Sequence, residues 1–255
     1  MPSKKVRRNR ALLGVAIIGG LSIWGFVSCS NTAAQTDVGG PFAPALDPPP
    51  HAEGLTTEQL ATTSVSLLPD PQWVIETAEK TGIPERALLA YAGVAIGLSV
   101  VKPECKLSWN TLAGVGWVES HHGSIFGGKI LPDGTMSEPI YGIPLDGTNN
   151  TQKLPDFDDG NFDGTAEFDR AVGPMQIIPP TWAAWNSDGN SDGFADGQNI
   201  DDAALAAGRY LCFSGGDMST VKGWQDGIFG YNQVQKYMVD VANKANEYAR
   251  AAKLG

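Results

Sequence analysis

Residues 106–124 read KLSWNTLAGVGWVESHHGS. A strongly apolar run ends there on a carboxylate, Glu119, followed by two histidines. The pattern predicts a helix over 107–120, on which Leu112, Val115 and Gly116 stand seven, four and three residues before Glu119 and share its face. Glu119 therefore closes an apolar stripe. An acid at a helix C-terminus also meets the negative end of the macrodipole, at a cost of roughly 0.3–1 kcal/mol. Burial beside such a stripe disfavours the ionised form. A carboxylic acid kept protonated near neutral pH is the general acid that glycosidic cleavage requires. The plainer reading makes Glu119 the solvated or ion-paired end of a core helix. Gly114 and Gly116 lack side chains, so another backbone or a bulky ligand can come close.

Helical patterns continue on both sides. PQWVIETAEKTG has Asp70 as N-cap, Pro71 at the first helical position and Gly82 as the stop. IPERALLAYAGVAIGLSVVK reads as a central apolar helix. PPTWAAWN, DDAALAAGRYLCF, MSTVKGWQDGIFGYN and VQKYMVDVANKANEYARAAK follow. Residues 123–172 are rich in Gly, Asp and Pro with no clear period, a long loop of the kind that carries function. A short hairpin around LPDGT is the one β expectation. The class is mainly α, a single domain over 70–255 with a long loop insertion.

The 255 residues carry a formal net charge of −10, which excludes a nucleic-acid groove. Lys4, Lys5, Arg7, Arg8 and Arg10 precede eighteen uncharged residues, ALLGVAIIGGLSIWGFVS. This predicts a signal peptide or membrane anchor over 1–28 and an exported, envelope-bound protein. Loss of that leader would take the net charge to −15. FVSC resembles a lipobox, with Phe26 in place of the usual Leu, and would make Cys29 the lipidated residue; a retained anchor is the alternative. Residues 29–69, rich in Pro, Gly, Thr and Ala, read as a flexible linker. With Cys29 set aside, Cys105 and Cys212 form an even pair suited to a disulfide in an oxidising compartment, the alternative being two buried thiols.

Three segments, in order, carry a family resemblance. GWVESHHG resembles the Glu-Ser segment of lysozyme-like lytic transglycosylases. AVGPMQIIPPTW (171–182) resembles their Gly-x-Met-Gln-x-x-Pro stretch, and IFGYNQ (228–233) their Tyr-Asn segment. The arrangement is most similar to the membrane-bound lytic transglycosylase B type in its exported actinobacterial form. The resemblance covers roughly 70–250. It implies a lysozyme-like (goose-type lysozyme and lytic transglycosylase) fold, and Glu119 as the single catalytic acid/base. Ser120, Met175, Gln176, Tyr231 and Asn232 would contact the sugars, with Tyr231 facing Glu119 across the cleft. The substrate would be peptidoglycan glycan strands, cut by a monomer with no organic cofactor. His121 and His122 lack the HExxH spacing of a catalytic zinc and read as cleft rim, placed to tune Glu119. Trp117, Trp182 and Trp185 read as core more readily than as sugar platforms.

DGNSDGFADGQNIDD (188–202) opens like an EF-hand loop, with Asp188, Asn190 and Asp192 at positions 1, 3 and 5 and Gly193 at position 6. The Phe194 carbonyl would be the next ligand. Asn199 stands at position 12 where Glu is required, so a looser loop would close on Asp202. A structural Ca²⁺ is expected there, against the alternative of a solvated Asp/Gly turn. The acidic run PDFDDGNFDGTAEFD (155–169) lacks this register and reads as a loop flanking the cleft. Three functions are thus in play: a lytic transglycosylase, a muramidase that admits water, and a non-catalytic wall-binding module.

Overall fold

The computed structural model describes residues 40–149 and 151–253. The expected leader over 1–28 and the lipidation site at Cys29 lie outside the described residues. Among those residues the elements are helices α1 (Thr57–Leu60), α2 (Pro71–Thr81), α3 (Glu85–Val101), α4 (Trp109–Ser120), α5 (Pro179–Trp185), α6 (Ile200–Gly215), α7 (Val221–Tyr231) and α8 (Gln235–Lys253), plus a 3₁₀ turn at Val65–Leu67. The class is mainly α. In place of strands there are isolated antiparallel bridges, one of which, Ile130–Met136, spans the LPDGT turn where a hairpin was expected.

Local chemistry explains the boundaries. The Asp70 side chain accepts the Trp73 N–H to open α2, and Gly82 closes it in the left-handed region at φ 72°. α3 is apolar nearly all round, and it is buried nearly all round, packed by α2, α4 and α6. Tyr91 and Leu88 of α3, Leu112 and Val115 of α4, and Leu211 of α6 are fully buried. Each aliphatic side chain so buried contributes about 1.5–3 kcal/mol. Cys105 and Cys212 form a disulfide with a Cα–Cα distance of 5.4 Å, tying the approach to α4 onto α6. No single helix among the described residues is long and apolar enough to cross a membrane.

The reading of 29–69 as a flexible linker does not hold from residue 40 onward. That stretch is a strap on the domain. The Leu46 N–H donates to Ser108 Oγ at 3.0 Å and Asn246 Nδ2 to the Phe42 carbonyl at 2.8 Å. Phe42 meets Trp224 edge-on, and Ala43, Val65 and Leu68 are buried. The Pro/Gly-rich composition specifies an irregular backbone, and the few apolar residues within it find a hydrophobic surface to cover.

The long loop after α4 is ordered by side-chain-to-backbone bonds. Gln198 pairs with Ile140 in both directions at 2.9 Å. Asp163, fully buried, accepts the N–H groups of Thr165 and Arg170. Phe162 stacks on Trp182 with ring centroids 4.9 Å apart.

Candidate active site

Glu119 sits in the last turn of α4, half-buried, and its Oε1 accepts a hydrogen bond from the Tyr237 hydroxyl at 2.5 Å. Burial pushes its carboxyl up to about 8, the Tyr237 bond opposing part of the rise. Tyr237 comes from the first turn of α8. Its hydroxyl is held well above the usual phenol range by burial and by the Glu119 charge, so it remains a proton-bearing donor. At neutral pH the group at the end of the apolar stripe is therefore a neutral acid with one donor on it.

The hydroxyl that bonds Glu119 is that of Tyr237, while the phenol of Tyr231, expected to face Glu119, is raised by burial and by the nearby Glu119 charge. Tyr231 lies parallel behind the Tyr237 ring with centroids 6.5 Å apart, and its hydroxyl donates to the Met175 carbonyl at 2.6 Å. The chain turns sharply between α7 and α8, so both tyrosines arrive on one side of α4. The spacing of six between them, across a helix break, was the available signal.

Three further expectations are corrected by burial. Ser120 is fully buried; its hydroxyl donates to the Pro174 carbonyl at 2.6 Å and accepts the Gly123 N–H at 2.8 Å, leaving no free hydrogen for a sugar. It fastens α4 to the 172–177 turn, where Val172 and Ile177 bond each other through both N–H groups. The Met175 side chain is wholly inside the core, as long flexible apolar chains are when a core lies within reach. Asn232, 3% exposed, has its Oδ1 on the Val234 N–H and caps the α7–α8 connection. Gln176 keeps a partly exposed side chain, with Nε2 on the Gly173 carbonyl and the backbone in the left-handed region at φ 47°. Of the five expected sugar contacts, Gln176 is thus the one presented outward, and the others build the wall behind it.

The histidines separate. His121 packs on Trp117, but His122 is not a rim residue: it is 3% exposed, beneath α4. Trp117 is half-buried with the Lys244 ammonium 4.4 Å from its ring centroid. Trp185 packs against Phe213. A groove of about 260 Å³ between α4 and α8, lined among others by Trp117, His121 and Lys244, does not include Glu119. The chemistry of the carboxyl, rather than the concavity, marks the site.

The 188–202 loop folds around Asp202. That residue is fully buried; its Oδ1 accepts the N–H groups of Gly189 and Asn190, and its Oδ2 accepts that of Asp196. Burial raises its carboxyl to about 6, and the charge of Asp188 adds to the rise. Asp188, Asn190 and Asp192 interlock through the Asp192 and Gly193 N–H groups. Phe194 has an exposed side chain, and Asn199 caps α6 on the Asp201 N–H. The side-chain oxygens of Asp188, Asn190, Asp192 and Asp202 each already accept a backbone proton, and the carboxylates of this loop do not form a close group of three among the described residues. The acidic run supplies such a group instead: carboxylate oxygens of Asp156, Asp158 and Asp163 lie within 4.8 Å of one another, close enough to share a cation.

Comparison of the chain with protein-family models, curated proteins and solved structures finds no match. The functional reading stands on the chain's own residues.

Proposed function

We propose that this chain is an exported peptidoglycan lytic transglycosylase in a lysozyme-like helical domain, with Glu119 as its single acid/base. The observation that carries the reading is the half-buried Glu119, protonated up to about pH 8 and held by Tyr237.

In its neutral form Glu119 gives its proton to the glycosidic oxygen of the MurNAc–GlcNAc link as the bond to the anomeric carbon breaks. The substrate's own N-acetyl carbonyl stabilises that carbon, so no second carboxylate is needed. The Glu119 carboxylate then takes the proton of the sugar's O6 hydroxyl as that oxygen closes on the anomeric carbon. A 1,6-anhydro end results, and the acid is regenerated. Tyr237, which favours the ionised form, stabilises the carboxylate between the two transfers. Gln176 is the side chain placed to meet the sugar. The Cys105–Cys212 disulfide supports a site of action outside the cytoplasm, with the envelope as location and glycan strands as partner. A structural Ca²⁺ on the 188–202 loop belongs to the same proposal: Asp202 and Asp188 are a like-charge pair that a divalent ion would neutralise.

The test is mass spectrometry of peptidoglycan digested by the full-length protein, wild type beside Glu119→Gln. Anhydro-muramyl products that disappear in the variant are expected. Reducing-end muramyl products would make the protein a muramidase instead. Absence of any product in oxidising, calcium-containing buffer would point to a wall-binding module.

A further inference from the structure

His122 carries no role in the chemistry above, yet its surroundings are unusually determined. Its ring lies under the end of α4 with Nδ1 3.1 Å from the Tyr91 hydroxyl of α3 and Nε2 2.9 Å from the Tyr248 hydroxyl of α8. A neutral imidazole has one N–H and one lone pair, so one tyrosine donates to it and the other accepts from it. Burial pushes the ring down to about 3, and the neighbouring His121 and Lys244 act in the same direction, so the neutral form persists through the physiological range. The Tyr91 hydroxyl occupies the notch left by Gly116, where a Cβ would stand 2.1 Å from its oxygen.

The backbone is committed to this arrangement. His121 and His122 are both left-handed, at φ 51° and 56°, followed by Gly123 at 83°. Two successive non-glycine residues in that region persist where the surroundings over-determine them. The His121 N–H caps the Trp117 carbonyl at 2.9 Å, and the His122 N–H caps that of Gly116 at 3.0 Å.

α8 supplies both Tyr248, on His122, and Tyr237, on Glu119. These residues are eleven apart, about 16 Å along the helix axis. Between them the Val241 carbonyl approaches Gly114 so closely that a Cβ there would lie 2.9 Å away. The bond to Glu119 and the bond to His122 are therefore two ends of one helix-to-helix registration.

We infer that His122 is the positioning residue for Glu119: by bonding Tyr91 and Tyr248 it sets the register of α4 against α8 at which Glu119 meets Tyr237. The inference rests on Glu119 being the working acid. His122 acts through that carboxyl and does not touch the sugar. Releasing the pin lets α8 shift along α4, which separates Tyr237 from Glu119 and admits water to the carboxyl.

The test is a ¹³C NMR titration of the Glu119 carboxyl in the full-length protein, in wild type, Tyr248→Phe, His122→Phe and Thr111→Val. The control removes a buried hydroxyl from the same helix, the one that accepts Trp224 Nε1 at 3.1 Å. In Tyr248→Phe and His122→Phe the entry of water should lower the Glu119 midpoint by about two units and the loss of the Tyr237 donor should return about one, a net fall of about one unit. On soluble glycan fragments both should lower kcat by ~10²-fold with KM unchanged, the scale of a small misplacement of a reacting group. Thr111→Val should lower Tm and leave the midpoint in place. If His122→Phe does not fold, Tyr91→Phe, which removes a single oxygen, takes its place. A Glu119 midpoint unmoved in Tyr248→Phe overturns the positioning role, whatever happens to Tm. A shifted midpoint in a protein that cleaves no peptidoglycan supports the positioning role and overturns the lytic reading alone.

Discussion

Two buried acids sit at opposite ends of helices, Glu119 in the last turn of α4 and Asp202 in the first turn of α6. Burial pushes both carboxyls up, that of Glu119 to about 8 and that of Asp202 only to about 6. Three backbone N–H groups point at Asp202, and the positive end of the α6 dipole lies under it. Glu119 has one phenolic donor and the negative end of α4. Burial alone does not make a general acid. Burial with few donors at the wrong end of a helix does.

The largest expected effect follows from that difference. Glu119→Gln should lower the release of soluble muropeptides by ~10²–10⁴-fold, the usual contribution of a positioned acid, while leaving the fold intact in circular dichroism. The corresponding loss at the other acid is structural. Asp202→Ala leaves the buried Gly189 N–H and the partly buried Asn190 and Asp196 N–H groups without an acceptor and should cost about 1–3 kcal/mol in urea unfolding.

Calcium sharpens the contrast. A saturating concentration, ~100 times Kd, should stabilise the wild type by about 2.7 kcal/mol in a thermal melt. That gain should vanish in Asp192→Asn and survive in Asp158→Asn. The reverse pattern would move the ion to the Asp156–Asp158–Asp163 cluster.

The pH dependence is smaller and has a definite sign. Glu119 binds its proton more tightly folded than unfolded, so its contribution to stability is complete below its unfolded pKa of ~4.3 and is lost as pH rises through about 8. Glu119→Gln should therefore gain on the wild type above pH 8 by about 1–3 kcal/mol, after allowance for partial solvent access, and gain nothing below pH ~4. Asp202 loses its share earlier, between ~3.9 and about 6. The smallest effect is at Tyr237. Tyr237→Phe keeps Glu119 buried and removes its donor, so its midpoint should climb by ~1 unit in an NMR titration, opposite to the fall expected for Tyr248→Phe.

Much of this fold was legible along the chain. The Asp70 cap, Pro71 and Gly82 delimit α2 by local chemistry, and the apolar face of α4 places Glu119 three residues past Gly116. Each of these rests on interactions within one helical turn, which spacing reports directly. The strap from residue 40 escaped because its order comes from a surface made by α4, α7 and α8, remote in sequence. The Asp156–Asp158–Asp163 cluster escaped for a similar reason, since its register is set by loop folding and not by alternate positions.

The same division runs through the candidate site. Residue type and helical period are enough to say that an acid ends an apolar helix and that two cysteines are available to pair. Which hydroxyl would reach that acid, which of the motif residues would turn inward, and that His122 would lie beneath α4 rather than at a rim were decided only by the tertiary structure. Those outcomes depend on how α3, α4 and α8 pack to within an ångström, and hydrogen bonds made across that packing leave no trace in the spacing of any one segment.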